Sequence, residues 1–403
     1  MIVLMVKTND PRFLEAKKKY VNKSSVAFIG KTYEGKTVLS TLLYDAIFNH
    51  FYPKNKDKIN VRPIFGTEKL VAAHKRMFLK GRFPAPTLPG SKSEVIVRIA
   101  SKSSLGPKID LMLKDASGED LITILQKGDK TDEELLTTVL TEGLPESETE
   151  SYGPLSYLPF AQLYVLLIDC ESHKDWISEQ YNYAKIIDSI NKLKKIIKEV
   201  DKQGRFKSAI SIVFTKADKL PADILKPEGK KITPKEIISN NLPALESTLS
   251  DSHDGKISYF LMSIDNVNEA TPEEADEIAK EESEELSAQM QNSEMEEKEL
   301  ANRIREQKIE ERVQKVINEI RQQQINSGQP ADVAEQRAME EGKNERVLAE
   351  EEVTIDEELI KNQNILEKIR VSGKKFYTIT LPLKYSHREY IRFISWIHEV
   401  LTE

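Results

Sequence analysis

The chain has 403 residues, 39% of them hydrophobic and 31% charged, with a formal net charge of -7. That is enough apolar material for a sizeable core. The acidic balance argues against direct nucleic-acid binding, which needs a concentrated basic surface. The single cysteine, Cys170, excludes an internal disulfide, and six scattered histidines give no structural metal cluster, a usage that fits a reducing cytoplasm. No apolar run approaches the roughly 18 residues needed to cross a bilayer, residues 1–6 are too short for a signal peptide, and Ile2 and the final Leu401-Thr402-Glu403 carry no lipidation signal, so no membrane insertion is expected.

In chain order, residues 25–29 read as a buried strand. Residues 37–51 read as a helix with Leu39, Leu42, Leu43 and Ile47 at helical spacing. A polar connection over 53–61 leads to a second helix over 68–79. The segment Phe83-Pro84-Ala85-Pro86-Thr87 is extended, because a residue before proline is pushed out of the helical region. Strands are predicted over 93–99 and 109–114, both alternating apolar and polar. The run 161–168 is almost wholly apolar, as in a central parallel strand. A long helix over 176–202, a buried strand over 209–214, a helix over 235–249 and a strand over 257–262 complete the series. Alternation of this kind predicts a three-layer α/β fold with a mostly parallel central sheet.

The character changes after Asn266. Residues 273–299 are dominated by Glu and Asp, and 300–320 carry mixed charge, with Ile309, Val313, Val316 and Ile320 spaced as a short coiled-coil seam. Gly328-Gln329-Pro330 breaks that pattern before another charged stretch over 332–352. Such composition cannot bury a core of its own, and it predicts a long charged helical insertion, read either as a solvated or partly disordered segment or as an arm that serves a protein partner or self-association. A β-like run over 375–381 and an amphipathic helix over 390–401, with Ile391, Phe393, Ile394, Trp396, Ile397 and Leu401, are read as returning to the α/β domain.

The most specific signal is Gly30-Lys31-Thr32-Tyr33-Glu34-Gly35-Lys36-Thr37, which fits G-x-x-x-x-G-K-[ST] between a strand and a helix. A loop of this length wraps a phosphate with its N–H groups, and Gly35 admits close backbone approach. Lys36 brings charge to the β and γ oxygens, Thr37 offers a hard oxygen to Mg²⁺, and the following helix adds its dipole. Glu34 brings negative charge to this loop, and is expected to point away from phosphate or to pair with Lys31. Asp115-Ala116-Ser117-Gly118 fits D-x-x-G at a strand end: Asp115 is a candidate Mg²⁺ holder through water, and the Gly118 N–H a candidate sensor of the γ-phosphate. Glu119 follows as the candidate that positions water, and Thr87 as the candidate switch threonine and second Mg²⁺ ligand. Thr215-Lys216-Ala217-Asp218 fits [NT]-K-x-D after a strand. There the Asp218 carboxylate can accept from guanine N1–H and the 2-amino group, a pattern adenine lacks, while the Lys216 stem packs over the base. Ser263 is a weaker candidate for a last base-contacting loop. Arg82 and Arg98 lie nearby in sequence, and neither is assigned as an arginine finger.

Together these motifs resemble the translation-factor-related class of P-loop GTPases, and more narrowly the prokaryotic double-GTPase (DO-GTPase) type domains, over about residues 22–266 and 375–401. The resemblance implies a G domain that binds GTP and GDP with Mg²⁺. The expected organisation is an N-terminal extension (1–22), the G domain (23–266), the charged helical insertion (267–374), and a strand and helix completing the G domain (375–403). The expected activity is a GTP-binding switch with slow hydrolysis. The rivals are a P-loop ATPase, to which Asp218 would be useless, and a non-hydrolysing nucleotide-bound scaffold that recruits partners through the acidic arm.

Overall fold

The computed structural model describes residues 11–20, 24–31, 33–64, 67–84, 93–103, 108–115, 125, 131–141, 155–200, 209–227, 232–251, 256–281, 309, 312–322, 337, 339–341, 343, 345–346 and 377–402. It divides into two compact units, Met1–Ile278 with Lys375–Glu403, and Ala279–Lys374.

The first unit is an α/β structure around a seven-stranded sheet. In chain order its elements are α1 (Pro11–Tyr20), β1 (Ser24–Ile29), α2 (Lys36–Ala46), β2 (Ile59–Pro63), α3 (Thr67–Leu79), β3 (Ser93–Ser101), β4 (Lys108–Asp115), α4 (Asp132–Thr141), β5 (Leu163–Asp169), α5 (Trp176–Val200), β6 (Ala209–Thr215), α6 (Pro234–Asn241), α7 (Pro243–Asp251), β7 (Ile257–Leu261), β8 (Ile264–Glu269), β9 (Tyr377–Tyr385) and α8 (His387–Thr402). The sheet order is β2-β3-β4-β1-β5-β6-β7. From β4 to β7 all neighbours are parallel, while β2-β3 and β3-β4 are antiparallel.

The period of two along each strand sorts the core into two layers. On β5, Tyr164, Leu166 and Ile168 face one cluster, and Leu163, Val165 and Leu167 the other. β1 divides likewise, with Ala27 and Ile29 on one side and Val26 and Phe28 on the other. Strands covered on both faces are mostly apolar, which is why β1, β5 and β6 read as near-continuous apolar runs, with the buried Ser25 and Ser211 as exceptions in β1 and β6. α1, α4, α5, α6 and α7 cover the first face, and α2, α3 and α8 the second. Of the two alternating strands, β3 runs antiparallel to both its neighbours, and β4 is antiparallel to β3 but parallel to β1. Arg98 on β3 forms a two-pronged bond to Asp110 on β4, at 2.5 and 2.6 Å.

Several elements depart from the expectations. α1 packs Phe13, Ala16 and Tyr20 into the core, so residues 11–20 are part of the first face. The connection over 53–61 contains most of edge strand β2. The single helix over 235–249 is two, because Pro243 cannot donate to the preceding turn and begins α7 instead. The helix over 37–51 is α-helical to Ala46 and continues as a π turn, Ile47–Phe51. β9 pairs antiparallel with β8 in a separate two-stranded ladder and does not join the main sheet. α8 does pack on the second face, through Tyr390, Phe393, Ile394 and Ile397.

In the second unit, residues 312–322 are helical. Ile309 and Val313 are buried with Ile317 against them, a spacing of four and four, while Val316 and Ile320 are half-buried. Arg312 pairs with Glu345. The acidic residues 282–300 lie outside the described residues. Among the described residues no helix is long and apolar enough to cross a membrane.

Candidate functional site

The loop after β1 is described except for Thr32. Gly35 has φ +88° and directly precedes α2, whose N-terminus has no side-chain cap. Its left-handed backbone, rather than lack of room, is what calls for glycine: an added Cβ would come no nearer than 3.9 Å to another atom, the Thr215 Cγ2. Tyr33 also has positive φ, at 68°, and its side chain is exposed. Lys36 folds back under the loop, where it is buried, and its ammonium donates to the Gly30 and Lys31 carbonyls at 2.8 and 2.9 Å. Thr37 stands in the first turn of α2. A fixed ammonium beside the N-terminal end of a helix is suited to an anion.

Glu34 turns inward and is 5% exposed. Its carboxylate accepts the Lys31 backbone N–H at 2.5 Å. Gly30 makes room for it, since a Cβ there would lie 2.6 Å from Glu34 Oε2. Glu34 therefore meets Lys31 through the main chain, while the Lys31 ammonium pairs with Glu179 on α5 at 2.6 Å. Burial pushes the Glu34 carboxyl up to about 7; the Lys31 N–H and the Lys36 charge oppose this, and the charge of Asp169 adds to it.

The second loop leaves β6 at Thr215. It is tied to both neighbouring strand ends: Cys170 N–H donates to the Thr215 carbonyl, and Ala217 N–H to the Met262 carbonyl, each at 3.0 Å. Lys216 takes positive φ, at 51°. Its ammonium bridges Asp169 at 2.7 Å and Glu171 at 3.0 Å. Burial works against that charge, but Asp169 and Glu171 outweigh it and the pKa is raised. Asp218 is partly buried, with the Lys219 ammonium 3.8 Å away. Burial first, and then the charge of Asp265, raises its pKa. Ser263 follows β7 and is bound to the residue before α8: its N–H donates to Ser386 Oγ, and Ser386 N–H donates to its carbonyl.

The structure thus brings Gly35 of the first loop near Thr215 of the second, close enough that a methyl group at position 35 would touch the threonine side chain, at the carboxyl ends of β1 and β6. Asp115 ends β4, and its side chain lies outside the described residues, as do Thr32, Thr87, Gly118 and Glu119. Of the three expected Mg²⁺ holders only the Thr37 side chain is described, and a hydroxyl at the head of α2 fits a hard cation. Among the described residues there is no group of three His, Cys, Asp or Glu able to hold a metal by itself. Arg98 is engaged with Asp110, and Arg82 with Glu277 at 2.8 Å.

Sequence reasoning missed three side chains here. Asp169 was visible as the first charge after the apolar run of β5. Glu171 has no comparable mark. Tyr377 opens β9, and its hydroxyl donates to Glu171 while the Lys219 ammonium lies 5.4 Å from its ring centre. No local pattern connects it to residues so far back along the chain. Compared with protein families, with curated proteins and with solved structures, the chain shows no match.

Proposed function

We propose that this protein is a Mg²⁺-dependent GTP-binding switch that hydrolyses GTP slowly. The observation that carries the reading is the closeness of Gly35 to Thr215, with room for little more than a methyl group between them, which puts the phosphate-type loop beside the guanine-type motif. Ligands of open α/β sheets bind outside the carboxyl ends of the strands, and both motifs stand there. In this reading Gly30, Lys31, Thr32, Tyr33, Glu34 and Gly35 shape the loop around the phosphates and Lys36 neutralises their charge. Thr37, Thr87 and Asp115 hold Mg²⁺, which supplies charge stabilisation on the phosphate oxygens. Gly118 senses the γ-phosphate, Glu119 orients the attacking water, and Thr215, Lys216, Asp218 and Ser263 form the base site.

Hydrolysis is attack of water on the γ-phosphoryl group, with GDP and phosphate as products. Glu119 aids hydrolysis on balance by orienting water, but its negative charge opposes the anionic transition state, so slow turnover is expected. Single-turnover assays with excess protein should therefore convert bound GTP to GDP slowly, and faster than Glu119→Ala does. GTP that stays intact in the bound state would instead favour a nucleotide-holding scaffold.

The charged segment is proposed to serve a protein partner or a second copy of the chain. β8 leaves the domain and β9 re-enters it through one ladder, in which Glu269 is the direct neighbour of Tyr377. A short Gly/Ser linker in place of Ala279–Lys374 should therefore close without strain. Loop closure costs only about 0.6 kcal/mol per doubling of length, so GTP affinity should stay within about threefold. Sedimentation velocity and pull-down should change. Loss of GTP binding by a soluble, folded deletion would show that the segment belongs to the nucleotide site.

A further inference from the structure

We propose that Glu34 is a positioning residue of the phosphate-type loop, and that its carboxyl group takes up a proton when a nucleoside polyphosphate binds. This rests on the reading of residues 30–37 as a phosphate site and adds to it a charged group facing the loop from within. The geometry is specific. Glu34 Oε2 accepts the N–H of Lys31, one of the amides of the loop itself. It lies where any side chain at position 30 would have to go, and it is almost fully enclosed.

The groups around it are named as follows. On its own loop the Lys31 and Lys36 ammoniums act on it through space, while their hydrogen bonds run to Glu179 and to the loop carbonyls. From β5 comes the carboxylate of Asp169. From α5 come Tyr183, whose phenol is raised first by burial and then by the charge of Glu34, and beyond it Glu179. Burial already holds the group near 7, against 4.5 for an ordinary glutamate. Mg²⁺-GTP brings roughly two further net negative charges to the same short loop, and a nearby like charge favours the neutral carboxyl. The proton comes from solvent, and no covalent bond to the ligand forms or breaks.

The linkage has a definite sign. Below about pH 7 the carboxyl is protonated with and without ligand, and this contribution is flat. Above it, binding must import a proton, so affinity falls as pH rises, by at most about tenfold per pH unit for one proton. Glu34→Gln keeps an oxygen for the Lys31 N–H and removes the charge. The ratio of variant to wild-type affinity for Mg²⁺-GTP should therefore rise, by about threefold or more, between pH 6 and pH 8.5. Titration of the γ-phosphate is common to both proteins and cancels in that ratio.

The test is calorimetric titration of the full chain, wild type and Glu34→Gln, with Mg²⁺-GTP at pH 6, 7 and 8.5. Wild type is also titrated at pH 7.5 in two buffers of different ionisation enthalpy. A rising ratio, with net uptake of a fraction of a proton by wild type, is the expected result. Parallel affinities at all three pH values, or no proton uptake, would overturn the role given to Glu34 while leaving nucleotide binding intact. Should the variant not fold, the two-buffer measurement on wild type decides alone. Absence of GTP binding by folded wild type at every pH would instead remove the phosphate-site reading, and this inference with it.

Discussion

Lys36→Ala is expected to lower GTP affinity by about 100-fold or more while the protein stays folded, since one charge-assisted hydrogen bond contributes roughly 1.5–3 kcal/mol and the ammonium charge attracts the phosphates besides. The ammonium is held under the loop by two carbonyls, those of Gly30 and Lys31, so its position is fixed before any anion arrives. Removing it leaves those carbonyls short of a donor, at about 1 kcal/mol each, and removes a buried charge as well. The sheet and its two apolar layers do not depend on it. Circular dichroism and thermal melting should therefore stay close to wild type while calorimetry loses the binding signal. A folded variant with wild-type GTP affinity would contradict the phosphate role.

The second large effect is expected at Asp218. Its carboxylate is partly buried and its pKa is raised, chiefly by burial, so ionising it carries a cost that its own backbone N–H and the nearby lysines only partly offset. Guanine N1–H and its 2-amino group would relieve that cost. Asp218→Asn keeps the shape, but turns one acceptor into a donor that faces another donor. GTP should weaken by about tenfold or more, the loss of one charged hydrogen bond at roughly 1.5–3 kcal/mol. Xanthosine triphosphate, which carries an oxygen where guanine has the 2-amino group, should bind the variant more tightly than it binds wild type. Competition against a fluorescent guanine nucleotide measures both. Equal weakening of GTP and xanthosine triphosphate would assign Asp218 to loop stability instead.

These expectations draw unequally on the sequence. Strands β1, β5 and β6 were legible because burial on both faces favours near-continuous apolar runs, and the loop 30–37 because its residue types are spaced for one task. α8 was legible through a one-sided apolar stripe. α1 was not: Phe13, Ala16 and Tyr20 stand at helical spacing, but three consecutive lysines between them mask the pattern in so short a window. β2 was hidden because an edge strand needs only alternate burial, and Asn60 and Arg62 interrupt its apolar residues. The pairing of β8 with β9 joins segments more than a hundred residues apart, which no local pattern encodes. The inward turn of Glu34 depends on the space left by Gly30 and on the neighbouring β5, and on Glu179 of α5 engaging Lys31. Only the assembled fold reveals those together.

The central claim is that the two loops meeting at Gly35 and Thr215 form one site for a guanine nucleotide. Isothermal titration of the wild-type chain with GTP, GDP and ATP, each with Mg²⁺, tests it most directly. Saturable one-to-one binding of GTP and GDP is expected, with ATP weaker by about 100-fold or more, the worth of two lost hydrogen bonds at Asp218. ATP bound as tightly as GTP, or no binding of any of the three, would contradict it.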